Sequence, residues 1–325
     1  MRGVKVIAVL LVVCLCFCGC SARKNLKDLS VAEGLGIDNA EQGKRVTVQT
    51  LNLAKAGNGT AALSGNVTLN TAGIGRNISS AAAAAAESLS KDLFFGQNKL
   101  LVFGMDVAVN DLATCFDYLM RSENSRPDVP VCISSGTAAQ LLDCGQNDAL
   151  VPAQAVAELL KNGQNSGFSL YVSVNEMLNL YKDKTSDICL PVITVSDESS
   201  RTSGIAIFSE SRLAGVLSGD ETVGLLFLKD KVKSGYMELE SEKYGNIGVR
   251  IIGASSKTKA FAQGETVHFK VGVKLFFSID EIENGTKESL SDAELAEIGK
   301  EVENAVRRDC EKAFYACTKN RSDCL

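Results

Sequence analysis

The stretch Leu93-Phe-Phe-Gly-Gln-Asn-Lys-Leu-Leu-Val-Phe-Gly104 predicts a turn that leads directly into a buried strand. Gly96 and its polar neighbours favour the turn, because glycine adopts turn conformations without a steric cost. Residues 100–103 are a short apolar run of the length and composition of a buried strand. Downstream, an amphipathic helix is predicted at 112–120 and a further strand at 129–133. This alternation of strands and helices indicates an α/β or α+β arrangement.

Upstream of this stretch, strands are predicted at 31–37 and 45–53, with residues 38–44 as the turn between them. The alanine run that follows favours a helix to about residue 89, and Ser79 or Ser80 is the expected N-cap. Gly73 and Gly75 begin like a dinucleotide-binding fingerprint. However, Ile78 occupies the place of the third glycine, so we set that motif aside.

Downstream, residues 137–182 predict a helical region in three pieces, at 138–142, 153–160 and 174–180. An extended strand at 190–195 comes next, and then eight polar residues, 196–203, which are the best candidate for a domain boundary. We therefore expect an N-terminal α/β domain at 29–196.

The remaining residues, 204–325, predict a C-terminal α+β domain. Apolar runs at 204–208 and 213–217 suit a β-hairpin, and the strict alternation over 267–277 predicts a long, half-buried strand. Ser291 and Glu294 form a capping box that opens a long amphipathic helix to about residue 317, expected to pack on the sheet. The fold class is therefore α+β, with mixed sheets, flanking helices and more than one domain.

Composition narrows the function. The chain has 325 residues, of which 45% are hydrophobic and 22% charged, so it is globular rather than disordered. Its net charge is −5, which offers no electrostatic attraction for nucleic acid. His268 is the single histidine and shares a strand face with Lys270 and Lys274, so we expect a solvated side chain. No Gly-x-Ser-x-Gly motif occurs, and we expect neither a catalytic site nor a metal site.

The N-terminus predicts export and lipidation. Arg2 and Lys5 precede an apolar run at 6–17, which is shorter than the roughly 20 residues that span a bilayer. The run ends in Cys18-Gly-Cys20, the pattern of bacterial lipoproteins whose cysteine is diacylated after cleavage. We expect a signal peptide at 1–19, a diacylglyceryl group on Cys20 as the only non-protein group, and a tether at 20–28. An ordinary secretory signal is the alternative. Cleavage would leave 32 basic and 39 acidic residues, a charge of −7.

Seven cysteines remain after Cys20, at 115, 132, 144, 189, 310, 317 and 324. None has Cys-x-x-Cys spacing, and Cys310 and Cys317 are too far apart on one helix to be bridged. Small buried hydrophobes in a non-oxidising environment are the favoured interpretation. One long-range bridge stays open.

Several of these segments together resemble the spore germination lipoproteins of the Ger(x)C family. The resemblance rests on Gly34-Leu-Gly-Ile-Asp38, on Leu93 to Gly104, on Leu190-Pro-Val-Ile193 and on four runs between Ser203 and Gly235. It covers about residues 18–317. The residues that match the family's motifs, with a structural or interaction role implied, are Asp38, Phe95, Gly96, Asn98, Lys99, Gly204, Gly215, Glu221, Thr222 and Gly224. Family members continue beyond the final helix, so the resemblance implies a shortened C-terminal domain here.

The resemblance implies a non-catalytic subunit of a nutrient germinant receptor. Such subunits are lipid-anchored on the outer face of the spore inner membrane, where they assemble with integral-membrane A and B subunits to trigger germination. An extracytoplasmic solute-binding lipoprotein of a transporter is the alternative, although that class has two similar doubly wound lobes and aromatic pockets. An envelope hydrolase is a third, disfavoured by the single histidine.

Overall fold

A computed structural model describes residues 3, 28–52, 67–110, 112–122, 126–144, 150–183, 186–196, 199–264, 266–284 and 290–324. Apart from residue 3, the expected signal peptide lies outside these residues, as do Cys20 and most of the expected tether. The architecture is α+β, as the sequence predicts, with one large mixed sheet, one small antiparallel sheet and helices packed on both.

The large sheet contains nine strands: β1 (Leu29–Ala40), β2 (Gly43–Leu51), β3 (Thr68–Gly75), β4 (Asp92–Phe94), β5 (Leu100–Gly104), β6 (Val131–Ser134), β7 (Cys189–Ser196), β8 (Ser199–Ser209) and β9 (Arg212–Leu217). Eight of them follow the order β3-β2-β1-β5-β6-β7-β8-β9, and β4 pairs with the start of β1. β1, β5, β6 and β7 run parallel, while antiparallel strands flank them on both sides.

The helices are α1 (Ile78–Glu87), α2 (Met105–Asn110), α3 (Leu112–Arg121), α4 (Ala138–Asp143), α5 (Pro152–Asn165), α6 (Val174–Asp183), α7 (Asp220–Leu228) and α8 (Asp292–Lys319). The central strand β5 confirms the prediction of a buried strand. Leu101 and Phe103 face one core, which contains α1 and α3, while Leu100 and Val102 face a second core formed with α4 and α5. A parallel strand covered on both faces reads as an unbroken apolar run, which is the pattern in the sequence.

The structure corrects one local prediction and adds one strand. The N-cap of α1 is Asn77, not Ser79 or Ser80; its side chain accepts the Ser80 N–H at 2.9 Å, and Ser80 completes a capping box. Strand β3 was not predicted, and its glycines have a packing role. A Cβ on Gly73 would lie 2.2 Å from the Ala85 nitrogen, so only glycine lets the alanine helix approach this strand.

The polar run at 196–203 does not interrupt the large sheet. β7 and β8 pair antiparallel from Cys189 opposite Ile207 to Ser196 opposite Ser199, and β9 continues the sheet beyond β8. The expected hairpin of the C-terminal region is therefore present, and it extends the sheet built by the preceding residues. One apolar core runs from β1 to α8 across this junction.

The small sheet is β10 (Gly235–Ser241), β11 (Gly245–Gln263) and β12 (Thr266–Ile282), in that order. Helix α8 begins after the predicted cap Ser291, packs along α7 and contacts β10. Leu295, which the apolar pattern placed on the buried face of α8, is 45% exposed. The distal halves of β11 and β12, residues 254–263 and 266–276, form a two-stranded ribbon that we call the hairpin arm.

Candidate functional site

The family-motif residue Asp38 is a buried carboxylate that fixes the start of a helix. It ends the parallel-paired part of β1 and accepts the Ala138 and Ala139 N–H groups of α4 at 2.7 and 3.1 Å. Burial raises the pKa of Asp38 even though these two hydrogen bonds lower it. A Cβ on Gly104 would lie 2.1 Å from the Asp38 carboxylate, so the glycine that ends β5 makes room for it. Asp38 therefore joins the end of the paired part of β1 to the start of α4.

The turn at residues 95–99 shapes an opening between β1 and α3. The Asn98 N–H donates to the Phe95 carbonyl at 2.9 Å, and the Lys99 N–H donates to the Glu33 carbonyl at 2.8 Å. A Cβ on Gly96 would clash with the Phe94 ring at 2.2 Å. Asn98 is only 9% exposed, and its side-chain oxygen has no hydrogen-bond partner among the described residues. A buried acceptor without a donor is costly, and because this oxygen is closed off from solvent, the cost belongs to the packing of the turn.

Asn98 and Lys99 line an open cleft of about 300 Å³, the motif cleft, together with residues before β6 and on α5. Arg126 holds Asp128 through two hydrogen bonds of 3.1 and 2.7 Å, and this pairing lowers the pKa of the Asp128 carboxyl. The remaining polar and aromatic side chains around the cleft are Gln154, Glu158, Lys161 and Tyr171. Because side chains of both charges line the motif cleft, it suits a polar peptide segment better than an apolar ligand.

The C-terminal motif residues hold β8, β9, α7 and α8 together. A Cβ on Gly204 would lie 2.2 Å from the Leu217 carbonyl, and one on Gly215 would lie 3.1 Å from the Asn320 side chain. The Thr222 hydroxyl donates to the Leu217 carbonyl at 3.1 Å, and Glu221 lies in the first turn of α7, where the helix dipole favours an acidic group.

Gly224 lies where α7 packs against α8. A Cβ there would lie 1.9 Å from the Asp309 carbonyl oxygen, so the two helices meet backbone to backbone. The Asp309 side chain is buried at this crossing, with one carboxylate oxygen that has no hydrogen-bond partner among the described residues. Burial, with a smaller contribution from the nearby Asp220, raises the pKa of Asp309 to about 6. The resemblance did not single out Asp309.

The hairpin arm presents a basic face to solvent. Lys259 and Lys270 are directly opposite each other across the two strands, and Lys257 and Lys274 lie on the same face. His268 is exposed here, as expected, and its ring stacks on Phe261 with a centroid distance of 5.4 Å. Phe261, Phe269 and Phe276 are more than half exposed. A protruding ribbon with lysines and exposed aromatic rings is a surface suited to binding rather than to catalysis.

Within the described ranges, no group of three or more His, Cys, Asp or Glu side chains could hold a metal ion. None of the helices in those ranges combines the length and apolar character that a membrane crossing requires.

The structure thus combines tightly packed motif residues with an open cleft and an exposed basic hairpin arm. Comparison with known proteins supplies the class: residues 22–195 match the family model described as spore germination protein N-terminal domain, and residues 203–325 match the one described as spore germination B3/GerAC-like, C-terminal. The chain therefore belongs to the Ger(x)C family of spore germination proteins. The two models meet at the polar run where β7 turns into β8.

One relative and one solved structure are similar to this chain. The spore germination protein YfkR of Bacillus subtilis (strain 168) is 23% identical over 235 residues, which cover 69% of this chain. The match spans 60% of YfkR's own length. The crystal structure of the GerBC protein has the same fold, with a TM-score of 0.52 and 17% identity over 89% of this chain and 83% of that one.

Proposed function

We propose that this protein is a lipid-anchored, non-catalytic subunit of a spore nutrient germinant receptor, assembled with integral-membrane A and B subunits on the outer face of the spore inner membrane. The observation that carries the proposal is the succession of both germination-family domains along residues 22–325, directly after an apolar run that ends in Cys20. The subunit supplies a rigid body and binding surfaces, and its partners supply the path through the membrane.

The proposed anchor limits how far the body can move. A diacylglyceryl group on Cys20 carries two acyl chains, which is the condition for stable membrane attachment. The eight residues 21–28 extend to at most about 30 Å. Tethering therefore raises the effective concentration of the body near its membrane partners, so that a modest interface is sufficient for assembly.

The basic face of the hairpin arm supports a membrane-facing orientation. Lys257, Lys259, Lys270 and Lys274 are all exposed on one side of the ribbon. Anionic headgroups attract each lysine by about 1 kcal/mol near the surface, and the exposed Phe side chains suit the interfacial region. The rest of the mature chain carries a net negative charge, so the arm is the part that the membrane attracts.

The motif cleft is the surface that we propose for a partner subunit. Lys99 and Lys161 line this cleft and would attract an acidic or carbonyl-rich segment, whereas Arg126 is already paired with Asp128.

The anchor is tested with Cys20→Ala in sporulating cells, with Cys18→Ala as the matched control because Cys18 precedes the expected cleavage site. We expect Cys20→Ala alone to release the protein from the spore membrane fraction and to lower nutrient-induced germination. Mass spectrometry of the wild-type mature N-terminus should show diacylglyceryl-Cys20. An unmodified, freely secreted N-terminus would contradict the proposal.

The partner surface is tested with Lys99→Glu, using affinity purification of the tagged protein from detergent-solubilised spore membranes. We expect multi-span subunits to co-purify with the wild type and less with Lys99→Glu. The control is Lys91→Glu, at an exposed lysine that does not line the cleft. Recovery of the wild type as a free monomer would contradict assembly, and tight calorimetric binding of an amino acid or sugar by the purified protein would favour the solute-binding alternative.

A further inference from the structure

Three cysteines from distant parts of the chain meet at the junction of the two family domains. Cys189 begins β7, Cys317 lies in the last turns of α8, and Cys324 lies in the segment after that helix. All three are buried, with exposures of 3%, 2% and 0%. The Cys317 and Cys324 sulfur atoms are 2.7 Å apart.

The backbone after α8 brings Cys324 back over the helix. Arg321 has a positive φ of 52°, the left-handed conformation that ends many helices, and the Ser322 N–H donates to the Cys317 carbonyl at 3.0 Å. The chain therefore reverses within a few residues. Cys317 and Cys324, seven residues apart, come into contact because of this reversal.

Hydrogen bonds to three other elements hold the returning segment in place. The Ser322 hydroxyl donates to the Phe208 carbonyl in β8 at 2.7 Å, and the Asp323 N–H donates to the Asp187 carboxylate at 2.7 Å. Lys229, at the end of α7, donates to the Cys324 carbonyl at 2.5 Å. The position of the Cys324 sulfur is thus set by contacts that do not involve sulfur.

We propose that Cys317 and Cys324 are a thiol–disulfide site, which an external disulfide oxidises to a bridge that locks the segment after α8 onto the helix. The sulfur atoms need to move by less than 1 Å to reach the bonded distance of about 2.05 Å. The site does not depend on the proposed receptor function. The burial of all three cysteines agrees with the prediction of small buried hydrophobes, and the proposal adds a reaction for two of them.

The electrostatics identify the attacking group. Hydrogen bonds from the Cys189 and Cys317 thiols lower the pKa of Cys324, and the same contacts together with burial raise the pKa of Cys189 and Cys317. Cys324 is therefore the thiol that ionises most readily while the segment is packed, and it is also the cysteine that a detached segment brings to solvent, where its thiolate is the reactive form. Cys189 contacts Cys324 but is not part of the proposed bridge.

The reaction is a two-step exchange with an external disulfide, RSSR. The Cys324 thiolate attacks one sulfur of RSSR while the segment is detached from the core, which forms a Cys324–S–SR mixed disulfide and releases RS⁻. The Cys317 sulfur then attacks the Cys324 sulfur, forms the intramolecular bridge and displaces the second RS⁻. Two electrons pass from the two thiols to RSSR, and both thiol protons end on the two released RSH molecules.

Tryptic mapping of the intact protein tests the pairing, because Lys312, Lys319 and Arg321 separate the cysteines. The full-length protein is purified without reductant, treated with glutathione disulfide, trapped with iodoacetamide and digested. We expect peptide 313–319 linked to peptide 322–325, and loss of that species after dithiothreitol. Alkylation of both peptides without any linked species would overturn the proposal, and so would a link from peptide 322–325 to the Cys189 peptide, 185–201.

A thermal measurement gives an independent readout. Closing a loop of this size predicts that reduction lowers the melting temperature of the wild type by roughly 5 °C. Cys324→Ser should abolish this response to reductant, while Cys310→Ser, on the same helix, should retain it. Equal responses of wild type and Cys324→Ser would refute the bridge.

Discussion

Replacing Asp309 with Asn should stabilise the protein at neutral pH and leave its stability unchanged at acidic pH. The carboxylate is buried where α7 crosses α8, and burial raises its pKa to about 6. One of its oxygens accepts no hydrogen bond from the described residues and has the Arg308 guanidinium nearby, at 4.0 Å. The charged form is therefore disfavoured in the folded protein. Asparagine has nearly the same shape and carries no charge, so Asp309→Asn removes the penalty and keeps the packing.

The magnitude follows from the two pKa values. The difference between about 6 in the folded protein and the usual 3.8, at about 1.4 kcal/mol for each pH unit, is about 3 kcal/mol. Between pH 3.8 and pH 6 the folded protein binds more protons than the unfolded chain, so its stability falls as the pH rises through this interval. Below pH 3.8 and above pH 6, the contribution of Asp309 to stability does not change with pH. Arg308 and Lys312 oppose the rise in pKa and Asp220 adds to it, and the value of about 6 includes all three.

Urea unfolding of the wild type and Asp309→Asn from pH 4 to pH 8 measures this effect. We expect equal midpoints near pH 4 and a gain of about 2–3 kcal/mol for Asp309→Asn at pH 7.5. Glu311→Gln, at an exposed acidic residue two positions further along the same helix, is the control and should change stability by less than about 0.5 kcal/mol. A wild-type stability that rises between pH 4 and pH 6 relative to Asp309→Asn would refute the reasoning.

Three further outcomes are expected. Gly224→Ala should destabilise the protein by about 1–3 kcal/mol in urea unfolding, because the added Cβ would overlap the α8 backbone. Gly299→Ala, which has open space around it on α8, should instead stabilise the protein by about 0.5–1 kcal/mol. Asp38→Ala should cost about 1–3 kcal/mol more than Asp38→Asn because only alanine leaves two α4 N–H groups unpaired; equal costs would contradict this. Lys270→Glu should weaken sedimentation of the protein with anionic vesicles by roughly tenfold or more, while its pairing with Lys259 leaves unfolding stability equal or slightly higher.

Elements with a clear period or cap could be predicted from the sequence, and elements without one could not. β5, β12 and α8 were found because an apolar run, an alternation and a capping box each mark one element type. α7 was missed because it is buried on nearly all sides, so it has no polar face to give a helical period. β3 was missed because glycines, rather than apolar side chains, make its contact with α1.

The candidate sites divide in the same way. The family resemblance located the motif residues, but their contacts are visible only in the structure. Asp38 accepts a hydrogen bond from the N–H of Ala138, 100 positions away in the sequence. The absence of a hydrogen-bond donor for the Asn98 oxygen among the described residues likewise depends on how the turn packs. The sequence does contain a pattern that indicates a buried acidic residue at Asp309. It follows Val302 and Val306 and precedes Ala313 at helical spacing, so an acidic residue stands on the apolar face of α8.

The contacts at the junction bear on how the proposed receptor subunit would transmit a signal. A hinge at residues 196–203 would have to break the pairing of β7 with β8, the two hydrogen bonds between Asp187 and Asp323, and a core shared by both family domains. Relative domain motion is expected where few contacts cross a boundary, and here many do. We therefore expect both family domains to move as one rigid body, so that a displacement at the motif cleft reaches α8 without a change in shape. The hairpin arm has the fewest core contacts of the small sheet, and local flexibility should concentrate there.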